Sequence, residues 1–133
     1  MDNKLNNLNV NKIDALPSPD EVKKSIPISE KAKQTVIESR RVISNLISEK
    51  SNLPLLIVGP CSIHDTDAAL EFAKRLVKLR EDLIDKCYII MRVYFEKPRT
   101  TLGWKGLIND PNMDKSFEVE KGINLARNVL NSI

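Results

Sequence analysis

The sequence predicts an α/β fold, and three observations predict it. Two short apolar runs without alternation, at 55–59 (LLIVG) and 87–95 (CYIIMRVYF), read as buried strands. A stripe of apolar residues at helical spacing separates them, so the three segments make a βαβ unit with an expected right-handed crossover. Further helical stripes precede and follow this unit, at about 30–49 and from residue 119 onward.

Residues 1–28 are rich in Asn, carry Pro17, Pro19 and Pro27, and show no sustained period, which predicts an arm. Ser29 is placed to cap the first helix, with Glu30 in its first turn. Along that helix Ala32, Val36, Ile43 and Ile47 fall on one face, while Lys31, Lys33, Arg40 and Arg41 stay largely off it. The Ser-Asn-Leu-Pro turn at 51–54 ends it. The first strand is bounded by Pro54 and Gly59-Pro60, and its lack of alternation predicts cover on both faces. Asp65 can cap the helix between the strands, whose stripe is Ala69, Phe72, Leu76, Leu79 and Leu83. The second strand is rich in β-branched and aromatic residues.

Residues 96–117 form a long connection containing Pro98, Gly103, Gly106 and an Asn109-Asp110-Pro111 turn. Connections of this length are usually functional or disordered, and the presence of Trp104, the chain's one tryptophan, favours function. The last helix carries Val119, Ile123, Ala126, Leu130 and Ile133. Two parallel strands leave both sheet edges open and cannot cover the apolar faces of three helices. That stripe also reaches Ile133 without a closing glycine. Both features are expected of the N-terminal piece of a larger α/β protein, divided into an arm and helix over 1–50 and a first βαβα portion over 51–133.

Composition narrows the class. A chain of 133 residues is at most one ordinary domain, and 41% hydrophobic with 29% charged residues is a globular composition. No run approaches the roughly 18 apolar residues of a membrane span. The N-terminal segment lacks a signal-peptide apolar core, and two cysteines are too few for a disulfide scaffold. A cytoplasmic protein with no membrane partner is expected. The formal charge is +3, and all of it is held by residues 92–105, where Arg92, Lys97, Arg99 and Lys105 face Glu96 alone. That concentration points to a local anion site. No long basic tail is present, so nucleic acid is not an expected partner.

In repeated βα architectures the working residues lie at the C-terminal ends of strands and in the loops that follow. The first strand leads to Gly-Pro-Cys-Ser-Ile-His-Asp at 59–65. Cys61 there is a candidate metal ligand or nucleophile, and its plain alternative is a small buried hydrophobe. His64 is the only histidine, so this chain cannot assemble a His-rich metal site, and a Cys61–His64 catalytic pair is a further alternative. Cys87 opens a strand and reads as packing. The second strand leads to Arg92, Lys97, Arg99 and Thr100. Arg92 offers a planar fork for a carboxylate or phosphate, and Lys97 a compact charge that can transfer a proton. Arg99 and Thr100 together offer one charge and one hydroxyl to a phosphate. The alternative is a solvated basic loop, but Tyr94, Phe95 and Trp104 are unusual neighbours for one, and Pro98 stiffens the path.

GPCSIHD at 59–65 and MRVYFEKPRTTLGWKGLINDPNMD at 91–114 closely resemble the microbial, feedback-regulated class of 3-deoxy-D-arabino-heptulosonate 7-phosphate (DAHP) synthases. The resemblance runs along the whole chain but covers about the first third of a family member. It implies a (β/α)8 barrel, a TIM barrel, preceded by a helical N-terminal extension. It implies condensation of phosphoenolpyruvate with erythrose 4-phosphate, releasing phosphate, at the start of the shikimate pathway. By matching position, Cys61 is the implied thiolate ligand of a divalent metal of manganese, iron, cobalt or zinc type. Arg92 is the implied contact for phosphoenolpyruvate, and Lys97 the implied catalytic residue in reach of both substrates. Arg99 and Thr100 are the implied grip on the erythrose 4-phosphate phosphate. The family's other metal ligands, a His, a Glu and an Asp, would lie beyond Ile133, so this chain by itself is expected to be inactive and poorly folded. The arm implies a homo-oligomer in which it helps to form an inhibitor site for an aromatic amino acid. Asn6 and Asn7 lean faintly to tyrosine as that effector. The competing expectations are the sister synthase acting on arabinose 5-phosphate, a cysteine hydrolase, and a non-catalytic phosphate-binding or dimerisation module.

Overall fold

The structure is a computed structural model that describes residues 8, 10, 12–99 and 102–133. Its elements are α1 (Pro19–Ser25), α2 (Glu30–Ile47), β1 (Leu55–Val58), α3 (Thr66–Asp82), β2 (Tyr88–Met91) and α4 (Val119–Ser132). β1 and β2 pair in parallel, in a register running from Leu55 opposite Tyr88 to Val58 opposite Met91. The α/β class and the βαβ unit are therefore as expected from the apolar runs.

The arm holds a short helix that the expectation of an arm without sustained period over 1–28 omits. Ser18 accepts a hydrogen bond from the Glu21 amide while the Glu21 carboxylate accepts from the Ser18 backbone, a closed capping box with Pro19 in the first turn. The Ser18 hydroxyl and amide hold the Glu21 carboxyl below its ordinary value. The signal is the Ser-x-x-Glu spacing at 18–21, legible once the prolines are read as a helix start. Beyond α1 the chain is fastened to α4. Arg127 Nε donates to the Ile26 carbonyl at 2.6 Å, and Asn131 binds both the Pro27 carbonyl and the Ser29 amide.

Two clusters make the core. Ile63, Ala69, Phe95, Leu107, Ala126 and Val129 are buried together, with Trp104 and Ile108 packed against them. Leu76, Cys87 and Ile89 form the second, beside Val58, Leu83 and Met91. Most of this core therefore lies on and beyond the C-terminal end of the sheet, where α3, α4 and the 96–118 connection meet. Cys87 is packing, as expected.

Several apolar faces differ from the expectation. α2 buries no residue, and Ile47 is 73% exposed. In α3 the buried line is Ala69, Ala73 and Leu76, while Phe72 and Leu79 face outward. In α4 it is Gly122, Ala126 and Val129, with Leu130 exposed. β1 was expected to be covered on both faces, yet Leu56 is 42% and Ile57 63% exposed. The physical reason is common to all four. Periodicity reports which face is apolar, whereas cover requires a layer, and a two-stranded sheet supplies too little surface to be one.

Candidate functional site

The site begins at the end of β1. Gly59 lies so close to β2 that a Cβ there would strike the Arg92 carbonyl oxygen and sit 3.0 Å from the Arg92 Cβ. The absence of a side chain lets the two strand ends meet, and Arg92 N donates to the Val58 carbonyl at 2.7 Å. The chain then turns through Pro60 and Cys61, and the Ile63 amide donates to the Tyr94 carbonyl at 2.7 Å. Asp65 caps α3 by accepting from the Asp67 and Ala68 amides, which fixes the far end of this turn.

Arg92 straps the turn down. Its Nη1 donates to the carbonyls of Pro60 at 2.6 Å and Cys61 at 2.7 Å. Its guanidinium carbon lies 4.7 Å from the centre of the Tyr94 ring, a cation–π contact that fixes the plane of the fork. Among the described residues Nη2 and Nε make no hydrogen bond. Lys97 arrives from the other side. Its Nζ donates toward the Cys61 sulfur at 3.3 Å, and Cys61 itself is exposed. The thiol after the first strand and two cations after the second therefore share one rim, as the topology of βα units predicts.

The described residues of the 96–118 connection are built, not loose. Glu96 and Gly106 form an antiparallel bridge, Lys97 N donates to the Lys105 carbonyl, and Leu107 N donates to the Phe95 carbonyl. Asp110 is 3% exposed and accepts from the Lys115 amide, while its own carbonyl accepts from Trp104 Nε1 at 2.7 Å. Trp104 thus ties the connection to the core.

Cys61, Arg92 and Lys97 are brought together. Arg99 is exposed, and its side chain passes over Gly103, where a Cβ would lie 2.8 Å from the Arg99 Cδ. Its carbonyl accepts from Lys105 Nζ. Thr100 lies outside the described residues. Sequence reasoning missed Glu96 and Asn109, which bond to each other at 2.5 Å. Glu96 enters a sequence reading only as one negative charge among positives, and Asn109 only as a turn residue.

A metal needs more than this rim offers. Among the described residues no three His, Cys, Asp or Glu side chains come together, and Cys61 supplies a single donor. By themselves these residues do not fit a metal centre, for which four or more ligands are usual. Among the same residues no helix is long and apolar enough to cross a membrane.

The sequence profile of the DAHP synthetase I family matches residues 25–130. The Tyr-sensitive phospho-2-dehydro-3-deoxyheptonate aldolase of Escherichia coli strain K12 is 47% identical over 126 residues, which is 95% of this chain and 35% of that protein. The Phe-sensitive enzyme of the same organism is 48% identical over 123 residues, 92% of this chain and again 35% of the relative. Among solved structures, phospho-2-dehydro-3-deoxyheptonate aldolase from Francisella tularensis SCHU S4 superposes with a TM-score of 0.87 at 43% identity, covering 93% of this chain and 37% of that one. The chain spans about a third of the length of these relatives.

Proposed function

The chain belongs to the DAHP synthetase I family, and from that premise we propose that it works as the first third of a (β/α)8-barrel enzyme. In this reading residues 1–50 are the extension and 51–133 the first βαβα portion of the barrel. The exposed face of β1, the unpaired sheet edges and the share of the relatives' length support it. The whole enzyme condenses phosphoenolpyruvate with erythrose 4-phosphate and releases phosphate, forming DAHP at the start of the shikimate pathway.

The observation that carries this reading is the shared rim: Lys97 Nζ 3.3 Å from the Cys61 sulfur, with Arg92 strapped to the Cys61 carbonyl. Two phosphorylated anions repel when held side by side, and clustered cations offset that repulsion. Arg92 holds phosphoenolpyruvate through the free half of its fork. Lys97 stands at the reacting centre and meets the aldehyde oxygen as it gains negative charge, stabilising it and donating a proton. Arg99 and Thr100 grip the phosphate of erythrose 4-phosphate. Cys61 would offer one thiol ligand to a divalent metal only if further ligands joined it there. A metal so held would supply Lewis-acid character to the site. The names of the relatives, Tyr-sensitive and Phe-sensitive at nearly equal identity, support an aromatic amino acid as inhibitor and do not favour tyrosine over phenylalanine. The arm takes part in a homo-oligomer, and Asn6 and Asn7 lie outside the described residues.

A phosphate-release assay tests the reading. An enzyme of full family length carrying this segment is expected to release phosphate from phosphoenolpyruvate with erythrose 4-phosphate and not with arabinose 5-phosphate. The 133-residue chain alone is expected to be inert. A preference for arabinose 5-phosphate would overturn the substrate assignment, and turnover by the short chain would overturn the need for the longer one.

A further inference from the structure

Lys97 is held by its backbone, and the structure shows what holds that backbone. The Lys97 amide donates to the Lys105 carbonyl at 3.1 Å. The same carbonyl accepts from Asn109 Nδ2 at 3.4 Å, and that nitrogen also donates to Glu96 Oε2 at 2.5 Å. Both neighbours of the Asn109 amide are acceptors, so its nitrogen, not its oxygen, must face them. One side chain therefore clamps the residue before Lys97 and the carbonyl that receives the Lys97 amide. Glu96 and Asn109 are both half-buried, where a lost partner is costly. Gly106 completes the closure. Its φ is +114°, and a Cβ there would strike the Phe95 carbonyl, so the two limbs of the connection press together only because that position is glycine.

We propose that the Asn109–Glu96 hydrogen bond is a positioning device for Lys97, one that sets where the ammonium group stands against Cys61 and the bound anions. Among the described residues neither side chain hydrogen-bonds to Cys61, Arg92 or the Lys97 ammonium. Asn109 acts through Glu96 and Lys105, and both act through the path of the backbone at 96–97. The inference rests on the reading of Lys97 given above and deepens it. A misplacement of about 1 Å at a reacting centre is enough to lower a rate by about 100-fold.

The test is a donor–acceptor exchange in the full-length enzyme. Asn109→Asp sets two carboxylates against each other at a distance meant for a hydrogen bond, and is expected to lower kcat by about 100-fold while KM for phosphoenolpyruvate moves far less. Adding Glu96→Gln restores the 96–109 hydrogen bond with donor and acceptor reversed, though not the weaker 3.4 Å bond to the Lys105 carbonyl, and the double variant is expected to recover at least about tenfold over the single one. A loss of fold would not be repaired selectively in kcat by that second change. An Asn109→Asp enzyme with the parent kcat, or a double variant no better than the single one, would overturn the proposal. Lys97→Ala separates the two levels of the argument. An inert Lys97→Ala enzyme beside a fully active Asn109→Asp enzyme overturns the positioning role alone. A fully active Lys97→Ala enzyme overturns the reading of the site and this role with it.

Discussion

Replacing Lys97 by alanine in the full-length enzyme is expected to lower kcat by about 1,000-fold or more. Removing a preorganised charge aimed at a developing oxyanion typically costs about 100- to 1,000-fold, and removing a positioned proton donor costs about 100- to 10,000-fold. Lys97 is assigned both tasks, and its Nζ lies 3.3 Å from the Cys61 sulfur, at the rim to which both strand ends contribute side chains. Lys97→Arg separates the tasks. It keeps the charge but replaces a compact ammonium with a guanidinium that does not give up its proton. Substrate binding should return in part while kcat stays low. Steady-state phosphate release with both substrates varied reads the two effects apart. A Lys97→Ala enzyme within tenfold of the parent would remove Lys97 from the reaction.

Cys61→Ala is expected to be nearly as severe, for a different reason. It leaves the cations in place and removes the exposed thiol of the two cysteines. If the proposed metal is held there, the Lewis-acid stabilisation it would supply is worth several kcal/mol, which is about 1,000-fold in rate. The variant should also bind less divalent metal, as read by metal analysis after dialysis. Because Arg92 holds the Cys61 carbonyl and not its side chain, the turn itself should survive the substitution. Phosphoenolpyruvate binding should therefore be weakened far less than turnover. A Cys61→Ala enzyme with undiminished metal-stimulated turnover would show that the metal is held elsewhere.

The elements that were legible in the sequence are those whose signals are local. Pro54 and Gly59 bracket β1, and the apolar run between them needs no distant information. Asp65 and Ser29 announce their helices in the same way, and both caps are present. The capping box at Ser18 was equally local but hidden among prolines that also suit an arm. Cover of the helices was not legible, because Ile47 and Leu130 lie on apolar stripes whose partners are not encoded beside them. The grouping of the candidate residues was legible to the level of the sheet end. Topology places residues after parallel strands together, and so it anticipated that Cys61 and Arg92 would be neighbours despite their separation. It could not anticipate that Arg92 would bond to the carbonyls of Pro60 and Cys61, since those acceptors belong to every residue and carry no signal. Glu96 and Asn109 were missed for the same kind of reason. Their bond depends on the register between two limbs joined by a single bridge, and nothing in 96–109 alternates in a way that reveals that register.

One thiol converges with two cations, Arg92 and Lys97, that are proposed to hold an anion, and the two cysteines of this chain provide a direct probe of that arrangement. Cys61 is exposed and Cys87 buried, so brief treatment of the metal-free, full-length enzyme with iodoacetamide should label Cys61 and spare Cys87, as read by peptide mass spectrometry. Saturating phosphoenolpyruvate is predicted to slow that labelling at least about tenfold, because the anion would occupy the rim on which the sulfur lies. Labelling of Cys61 at an unchanged rate, with phosphoenolpyruvate demonstrably bound, would contradict it.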